Sequence, residues 1–587
     1  MQLLATLDVR SYTCKDNHSK NSMQIVERTF SPADAFALMK QGVPAVLARM
    51  WSARKVKSAS EGNGDLSALV PYTALHGAER FATIVADAIQ EGKRLLIVAD
   101  YDADGATACT VGVRALREFG ANVGYLIPNR LEHGYGLTPE IVEEAARQEP
   151  RPDYIITVDN GISSIAGVAL ANQLGIPVLV TDHHLAGPTL PDAMVIVNPN
   201  QPACSFPSKA LAGCGVMWYC MWALQEELLD RGLAPSNEFH VNNLLPIVAV
   251  GTVADVVTLD TNNRILVHNG LQMIRHCATF PGLEELAKIS TANPRELATT
   301  DIAFGIGPRI NAAGRLDSMD AGVECLTTDS VARAKFLAGK LHEINGLRKE
   351  IEGETVEQAV RQLLTEVPPD RYTAVLHSPE WHQGVIGIVA GRLKEKLFRP
   401  TFILASGKEG ELKGSGRSIP GFHLRDALDL VDKRCPGLLL KFGGHAMAAG
   451  LTLRPGGRDE FADAFEAVAR EMLRPSDLLQ VIETDGSLET GEINLQTVSL
   501  LRMQVWGQMF PEPTFCDVFK VLEARRIGEG KHLKLTLEKG GMRFHAVRFR
   551  YDGPVPEGRI RAVYKIASNT FKEEVLLQLV LDYFEQA

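Results

Sequence analysis

At 587 residues the chain exceeds what one hydrophobic core supports, which excludes a single domain and implies three or four. With 45% hydrophobic and 22% charged residues, extensive disorder is excluded as well. The formal net charge of -10 argues mildly against nucleic acid as a partner, yet leaves room for local basic surface, while nine scattered cysteines with no C-x-x-C pair point to a reducing compartment, the cytosol.

The first residues, MQLLATLDVRSY, lack a basic stretch followed by an apolar core, so no secretory signal is expected. Residues 1–75 read as an N-terminal region with helical patches and a Ser/Gly/Lys-rich linker from Ser52. From Lys93 the pattern changes. Short apolar runs (RLLIVAD, VGYLIP, YIITVD, PVLVTD) alternate with helix-length amphipathic segments, which predicts an α/β domain over 76–330 with a parallel sheet covered on both faces. The longest apolar run, Leu244 to Val257, is interrupted by Asp255 and falls short of the about 20 residues a bilayer requires, so no membrane segment is expected.

A charged, proline-free stretch over 331–366 predicts a long connector helix. Residues 367–460 place glycines at fixed points in HQGVIGIVAG, KGSGRSIPG and KFGGHAMAAG, and read as a smaller α/β domain. Over 461–587, five alternating runs (VFKVLEARRIG, HLKLTLE, MRFHAVRFR, RIRAVYKIA, VLLQLVLDYF) separated by turn residues suggest an OB-like β-barrel. Between Asp517 and Arg550 stand nine Lys/Arg against four Asp/Glu, with Phe519, Phe544 and Phe549 interleaved. That mixture suits a groove for single-stranded nucleic acid, although core phenylalanines on a solvated barrel explain it equally.

Four places set oxygen or imidazole groups just beyond an apolar run: Asp100, Asp102 and Asp104; Asp159-Asn160-Gly161; Asp182-His183-His184; and Asp255. Each alone has an ordinary explanation, such as a helix N-cap, a turn or a satisfied histidine. Together, at the carboxyl ends of parallel strands, the first three would meet at one sheet edge, where ligands bind in open α/β sheets. Carboxylates packed together repel, and a bound cation resolves the repulsion. Carboxylates with imidazole and no thiolate favour Mn²⁺ or Mg²⁺. Two ions roughly 3.5–4 Å apart would suit in-line phosphoryl displacement, so the expected reaction is phosphoester or phosphoanhydride hydrolysis.

The series DADG, VDNG, DHH and VADVV resembles motifs I to IV of the DHH phosphoesterase superfamily. The likeness continues through GIGPRINAAGRLDS, PEWHQGVIGIVAGRLKE, LKGSGRSIPGFHLRDAL, KFGGHAMAAG and WGQMFPEPTF, and so is similar to the superfamily's 5′→3′ exonucleases of single-stranded DNA from about residue 75 onward. The resemblance implies metal ligands at Asp102, Asp104, Asp159, His183 and Asp255, with Asp159 bridging. It also implies His184 facing the scissile phosphate and Asp100 just outside the ligand set. Val98 stands where manganese pyrophosphatases of the superfamily carry a histidine, which argues against that branch.

The same resemblance makes residues 367–460 a DHH-associated substrate-binding domain. Ser415 and Arg417, with Arg130, then hold a 5′-terminal phosphate; Tyr135 stacks on a base; Arg309 and Arg315 contact the DNA backbone or, equally, form salt bridges; His382 and His445 line the cleft. Implied partners are single-stranded DNA, a single-strand-binding protein and a helicase, in recombination and repair. A phosphodiesterase acting on short oligonucleotides or cyclic dinucleotides shares motifs I to III, but its members usually lack a basic barrel such as 480–587 predicts. A non-catalytic DNA-binding scaffold conflicts with five intact ligand positions.

Overall fold

The computed structural model describes residues 23–128, 136–233, 239–277, 279–291, 293–571 and 574–587. Two compact units emerge: one holds residues 56–357 and 503–512, the other the described residues of 1–55, then 358–502 and 513–587. Among the described residues no helix is long and apolar enough to cross a membrane, and the eight described cysteines are free thiols.

The first unit is built on five parallel strands in the spatial order Asn122–Leu126, Arg94–Ala99, Tyr154–Val158, Val178–Thr181, Val195–Val197. Alternation along each strand supplies both faces. Leu96, Val98, Ile155, Val178 and Val180 pack against Ile141, Val142, Ala145, Val168 and Ala171, which lie on or beside helices Pro139–Ala146 and Ile165–Gln173. On the other face Ile97 and Met217 press on Gly112 of helix Ala103–Glu118, close enough that a side chain there would collide with both. The doubly covered parallel sheet expected from the apolar runs is present. A helix of 36 residues, Val331–Glu366, occupies the proline-free stretch.

In the second unit a mixed sheet runs Leu439–Gly444, Ala448–Leu453, Leu412–Arg417, Thr401–Ser406, Ala374–His377; only the last two strands pair in parallel. Its core includes Phe402, Leu404, Leu451 and Leu453 together with Phe461 and Phe465 of helix Arg458–Met472. The boundary expected at 460 therefore falls inside a helix that belongs to this core. The C-terminal barrel is closed by Phe515–Ile527, His532–Lys539, Met542–Arg548, Glu574–Gln586 and Arg559–Phe571. Phe519 and Phe544 are buried in it and only Phe549 is exposed, so two of the three phenylalanines expected as stacking platforms are core residues. Alternation locates all three on strands without saying which face turns inward.

The expected N-terminal region divides between the units. Residues 56–75 go with the first, whereas strand Gln24–Glu27 pairs in parallel with Val481–Thr484 of the second. Ion pairs reinforce that ladder. Asp485 is wholly buried and accepts two bonds from Arg54 (2.7 and 2.9 Å), one from Arg28 (2.9 Å) and one from the Thr514 amide (3.1 Å). Removing the shared carboxylate would strand a buried guanidinium, at about 3–5 kcal/mol. Asp485→Ala is expected to lower the urea stability of the unit holding the barrel by that amount; a loss under about 1 kcal/mol would show the cluster to be incidental.

Candidate metal centre

Strand register brings the acidic motifs together. Ala99, Val158, Thr181 and Val197 end four adjacent strands in line, and each ladder continues by one amide: Asp100 N to Val158 O (3.3 Å), Asp159 N to Thr181 O (3.1 Å), Asp182 N to Val197 O (3.1 Å). Three aspartates thus leave three neighbouring strands side by side at the carboxyl edge. Asp159 has φ +61°, in the left-handed region that aspartate tolerates better than most residues. Next to it Asn160 donates to Val98 O (3.1 Å) and Val158 O (2.9 Å), tying the two central strands beyond the ladder. The sequence pattern shows Asn160 only as part of a turn and gives no sign of this role.

Asp102 is the N-cap of helix Ala103–Glu118; its Oδ1 accepts from the amides of Asp104 (2.9 Å) and Gly105 (3.0 Å). Capping uses one oxygen and leaves the other for a cation, so the ordinary reading and the functional one coexist. Asp104 is fully buried, and its carboxylate takes the amides of Gly213 (2.6 Å) and Cys214 (3.0 Å) at the N-terminus of helix Gly213–Asp230. Gly213 has to be glycine: a Cβ there would sit 2.7 Å from Asp159 Cβ and 2.8 Å from its Oδ1.

After Thr181 the chain turns through Asp182, His183 and His184. Asp182 is the hub. Its Oδ1 accepts from the amides of His183 (2.7 Å) and His184 (3.1 Å) and lies 2.7 Å from His184 Nδ1; its Oδ2 accepts from the Ile162 amide (2.9 Å). Asp182 was not among the expected functional residues, although its place at the head of the motif signals it. Burial opposes charge on His184, but the hydrogen bond and charge of Asp182 outweigh it and raise the imidazole to about 9. His183 lacks such a partner, and burial lowers it below its ordinary value.

Asp255 caps the C-terminus of helix Leu245–Ala254. His183 Nε2 then lies 3.1 Å from Asp159 Oδ1, 3.6 Å from Asp255 Oδ2 and 3.9 Å from Asp104 Oδ2, while His184 Nδ1 is 4.0 Å from Asp159 Oδ1. Potential ligand atoms lie within 4.8 Å of one another in three groups: Asp159, His183, His184; Asp104, His183, Asp255; and Asp100, Asp102, Asp159. Asp159 and His183 each serve two groups, an arrangement with room for more than one ion. Burial first, then repulsion from Asp104, Asp102, Asp100 and Asp255, lifts the Asp159 carboxyl well above its ordinary value. Burial, then repulsion from Asp104, Asp102 and Asp100, lifts Asp255, and Asp104 is raised too, chiefly by burial.

The donors fit a hard or borderline divalent cation. His183 Nε2 is buried without a hydrogen bond although three carboxylate oxygens face it, the arrangement expected when lone pairs converge on a cation. Cys214, the nearby thiol, is bonded to Val248 O and Thr252 instead, and burial pushes it well above its ordinary value, so it supplies no thiolate.

Four further expected residues gather in the second unit. Ser415 and Arg417 stand on one strand, with Arg417 Nη1 3.2 Å from Ser415 Oγ. The first turn of helix Ile386–Leu397 lies against them: a Cβ on Gly387 would come within 2.9 Å of Ser415 Oγ and 3.0 Å of Arg417 Nη2. His382 accepts from the Gly384 amide (3.0 Å) in the loop entering that helix, and the His445 amide closes a turn onto Ala448 O (2.8 Å), opposite Arg417. A helix N-terminus, a guanidinium and a hydroxyl at one place are the kinds of donor that an anion would require.

Arg309 departs from expectation. It is buried and spends its nitrogens on Gly305 O (2.7 Å), Ile289 O (3.3 Å) and His342 Nδ1 (3.2 Å), so it braces the protein and is withdrawn from the DNA contacts. Arg315 lies in the last turn of the same helix, Gly307–Leu316, and is half-buried. Arg130 and Tyr135 lie outside the described residues.

Three family models match in succession: the DHH family N-terminal domain over residues 94–252, the DHHA1 domain over 370–471 and the RecJ OB domain over 484–583. Fold and site together define a metal-dependent nuclease of the DHH class. The single-stranded-DNA-specific exonuclease RecJ of Salmonella typhimurium is 44% identical over 569 residues, spanning 94% of this chain and 97% of that protein; RecJ of Escherichia coli is 44% identical over 564 residues with the same shares. The chain belongs to the RecJ family of exonucleases. Crystal structures of RecJ from Thermus thermophilus align with it: the complex with Mn²⁺ at TM-score 0.81 and 30% identity, over 96% of this chain and 79% of that one, and the complex with Mg²⁺ at 0.75 and 28%, over 96% and 78%.

Raised carboxyl values mean that charge at the centre is costly in the metal-free fold. Protonation relieves that cost, so protein treated with chelator should gain stability as pH falls from neutrality, while a bound cation should stabilise more as pH rises and the ligands ionise. Thermal unfolding with and without Mn²⁺ between about pH 6 and pH 8 checks both signs. Asp159→Asn should melt higher than the parent in chelator and respond less to Mn²⁺; an unchanged response would remove Asp159 from the centre.

Proposed function

We propose that the chain removes nucleotides from the 5′ end of single-stranded DNA by hydrolysing phosphodiester bonds with two divalent ions, Mn²⁺ or Mg²⁺. The convergence of Asp104, Asp159, His183 and Asp255 around one point carries the reading, supported by the match to RecJ proteins over almost the whole chain. Asp102, Asp104, Asp159, His183 and Asp255 would hold the ions, with Asp159 shared. When bound, the ions supply Lewis acidity to the scissile phosphate and to the attacking water.

The protein's own groups supply orientation and charge. Asp182 fixes the His184 ring through Nδ1 and favours its protonated form, so His184 would present positive charge and an N–H to a phosphate oxygen. Asp100, beside Asp102 and Asp159, adds negative charge that draws cations in and steadies the ligands. Ser415, Arg417 and the helix N-terminus at Gly387 would hold the 5′-terminal phosphate, and its recognition would set polarity. His382 and His445, beside them, and Arg130, Arg315 and Tyr135 complete the proposed DNA contacts.

By family resemblance we place this activity in the cytoplasm, in recombination and repair, beside a single-strand-binding protein and a helicase. The short-substrate phosphodiesterase reading loses ground, because the relatives match through the barrel as well as the catalytic domain.

A single strand labelled at either end, digested with Mn²⁺ and with chelator, tests the proposal. The 5′ label should be released first and only with metal; earlier release of the 3′ label would overturn the polarity. Asp159→Ala should abolish hydrolysis while single-strand binding persists. Arg417→Ala should lower kcat/KM on 5′-phosphorylated strands by about tenfold, against a smaller loss on 5′-hydroxyl strands; equal losses would count against the phosphate cradle.

A further inference from the structure

One motif of the sequence has no part in the chemistry above: WGQMFPEPTF, which begins at Trp506. Here the chain makes an excursion. Residues up to Arg502 and from Pro513 belong to the unit with the barrel, whereas Met503–Glu512 belong to the catalytic unit. The ten residues form a hooked strap. Gly507 and Phe510 exchange backbone hydrogen bonds (2.9 and 3.1 Å), Met509 takes φ +58° inside the turn, and the buried rings of Trp506 and Phe510 stack at 5.4 Å.

The hook seizes the loop that follows Asp255. Gln508 O accepts from the Leu259 amide (3.0 Å), and Gly507 presses on Leu259, where a Cβ would come within 2.6 Å of Cδ1. Arg264 lies 4.3 Å over the Phe510 ring while its Nη1 donates to Leu259 O (3.0 Å). Leu259 is thus held through both its N–H and its C=O by the strap and a side chain stacked on it. Between Leu259 and Asp255 the chain passes through Val256 at φ +62°, a conformation costly for a β-branched residue and kept only when the flanking chain is fixed.

Asp255 needs outside support more than Asp102, Asp104 and Asp182 do. Asp102 and Asp104 each accept two backbone amides, and Asp182 accepts three, whereas the Asp255 side chain accepts no hydrogen bond from any described residue. It is also more exposed, at 22% against 0% for Asp104 and 2% for Asp159. Its direction is therefore set by the backbone on either side, and the C-terminal side is the loop that the strap grips.

We infer that Met503–Glu512 is a positioning strap that aims Asp255 at the metal centre, with Phe510 and Gly507 as its working residues. This rests on Asp255 being a ligand, as proposed above. A ligand carboxylate without hydrogen bonds gains its pre-organisation from the clasp at Leu259, so loosening the clasp weakens the hold on the cation before it disturbs the sheet.

The test is Mn²⁺ binding to the full chain by calorimetry, alongside hydrolysis of a single strand at rising Mn²⁺. Phe510→Ala should weaken Mn²⁺ binding by about tenfold and lower turnover at limiting Mn²⁺, with excess Mn²⁺ restoring it. Phe510→Trp, which keeps a ring under Arg264, should retain parental affinity. Should Phe510→Ala fold poorly, Gly507→Ala, which pushes Leu259 directly, should weaken Mn²⁺ binding in the same way. The Asp255→Asn variant separates the two claims. If it binds Mn²⁺ like the parent, Asp255 is no ligand and the reading beneath the inference fails. If Asp255→Asn weakens binding while the folded strap variant binds Mn²⁺ like the parent, or loses turnover that excess Mn²⁺ does not restore, the strap inference alone is overturned.

Discussion

Mutual repulsion among carboxylates crowded at one sheet edge is the constraint around which the catalytic unit is organised. Asp100, Asp159 and Asp182 leave adjacent strands in register, Asp102 and Asp104 follow on the next helix, and Asp255 arrives from a helix end. No fold would gather so many acids for stability, since burial and repulsion make Asp104, Asp159 and Asp255 harder to ionise than in water. The fold tolerates them through a shared counter-charge, and local features lower the strain: amides at two helix N-termini meet Asp102 and Asp104, and the cationic His184 meets Asp182.

The carboxylates differ in how they are held, and the differences sort their roles. Asp182 has its lone pairs occupied by the protein, so it orients histidines. Asp102 caps a helix with one oxygen and keeps the other open. Asp255 relies on its backbone, which links a distant segment, Met503–Glu512, to the chemistry. His183 and His184 are neighbours in sequence yet diverge, one lowered by burial and the other raised by Asp182, so one suits ligation and the other suits an anionic substrate.

Much of this was legible in the sequence. Continuous apolar runs followed by Asp marked the strand ends, and the parallel sheet then brought the acids together, because strands of equal register end at one edge. The long helix and the five-stranded barrel followed from proline-free charge and from alternation. Alternation could not say which of Phe519, Phe544 and Phe549 faced outward, since a closed barrel buries one face wholly. The Asp485 cluster was hidden because its arginines lie over 400 residues away in the chain. Arg309 misled for a related reason: a guanidinium suits phosphate and carbonyl oxygen alike, and only geometry decides between them. Asn160 reads as a turn residue because its partners are backbone carbonyls of neighbouring strands, and the hub role of Asp182 is hidden because most of its partners are backbone amides.

What is proposed for the sheet edge is a pair of divalent cations between Asp102, Asp104, Asp159, His183 and Asp255. Anomalous X-ray scattering at the manganese edge, from crystals soaked in Mn²⁺, addresses it most directly. Two peaks roughly 3.5–4 Å apart, with the Asp159 carboxylate touching both, are predicted. A single peak elsewhere, or none within coordination distance of Asp159 and His183, would contradict it.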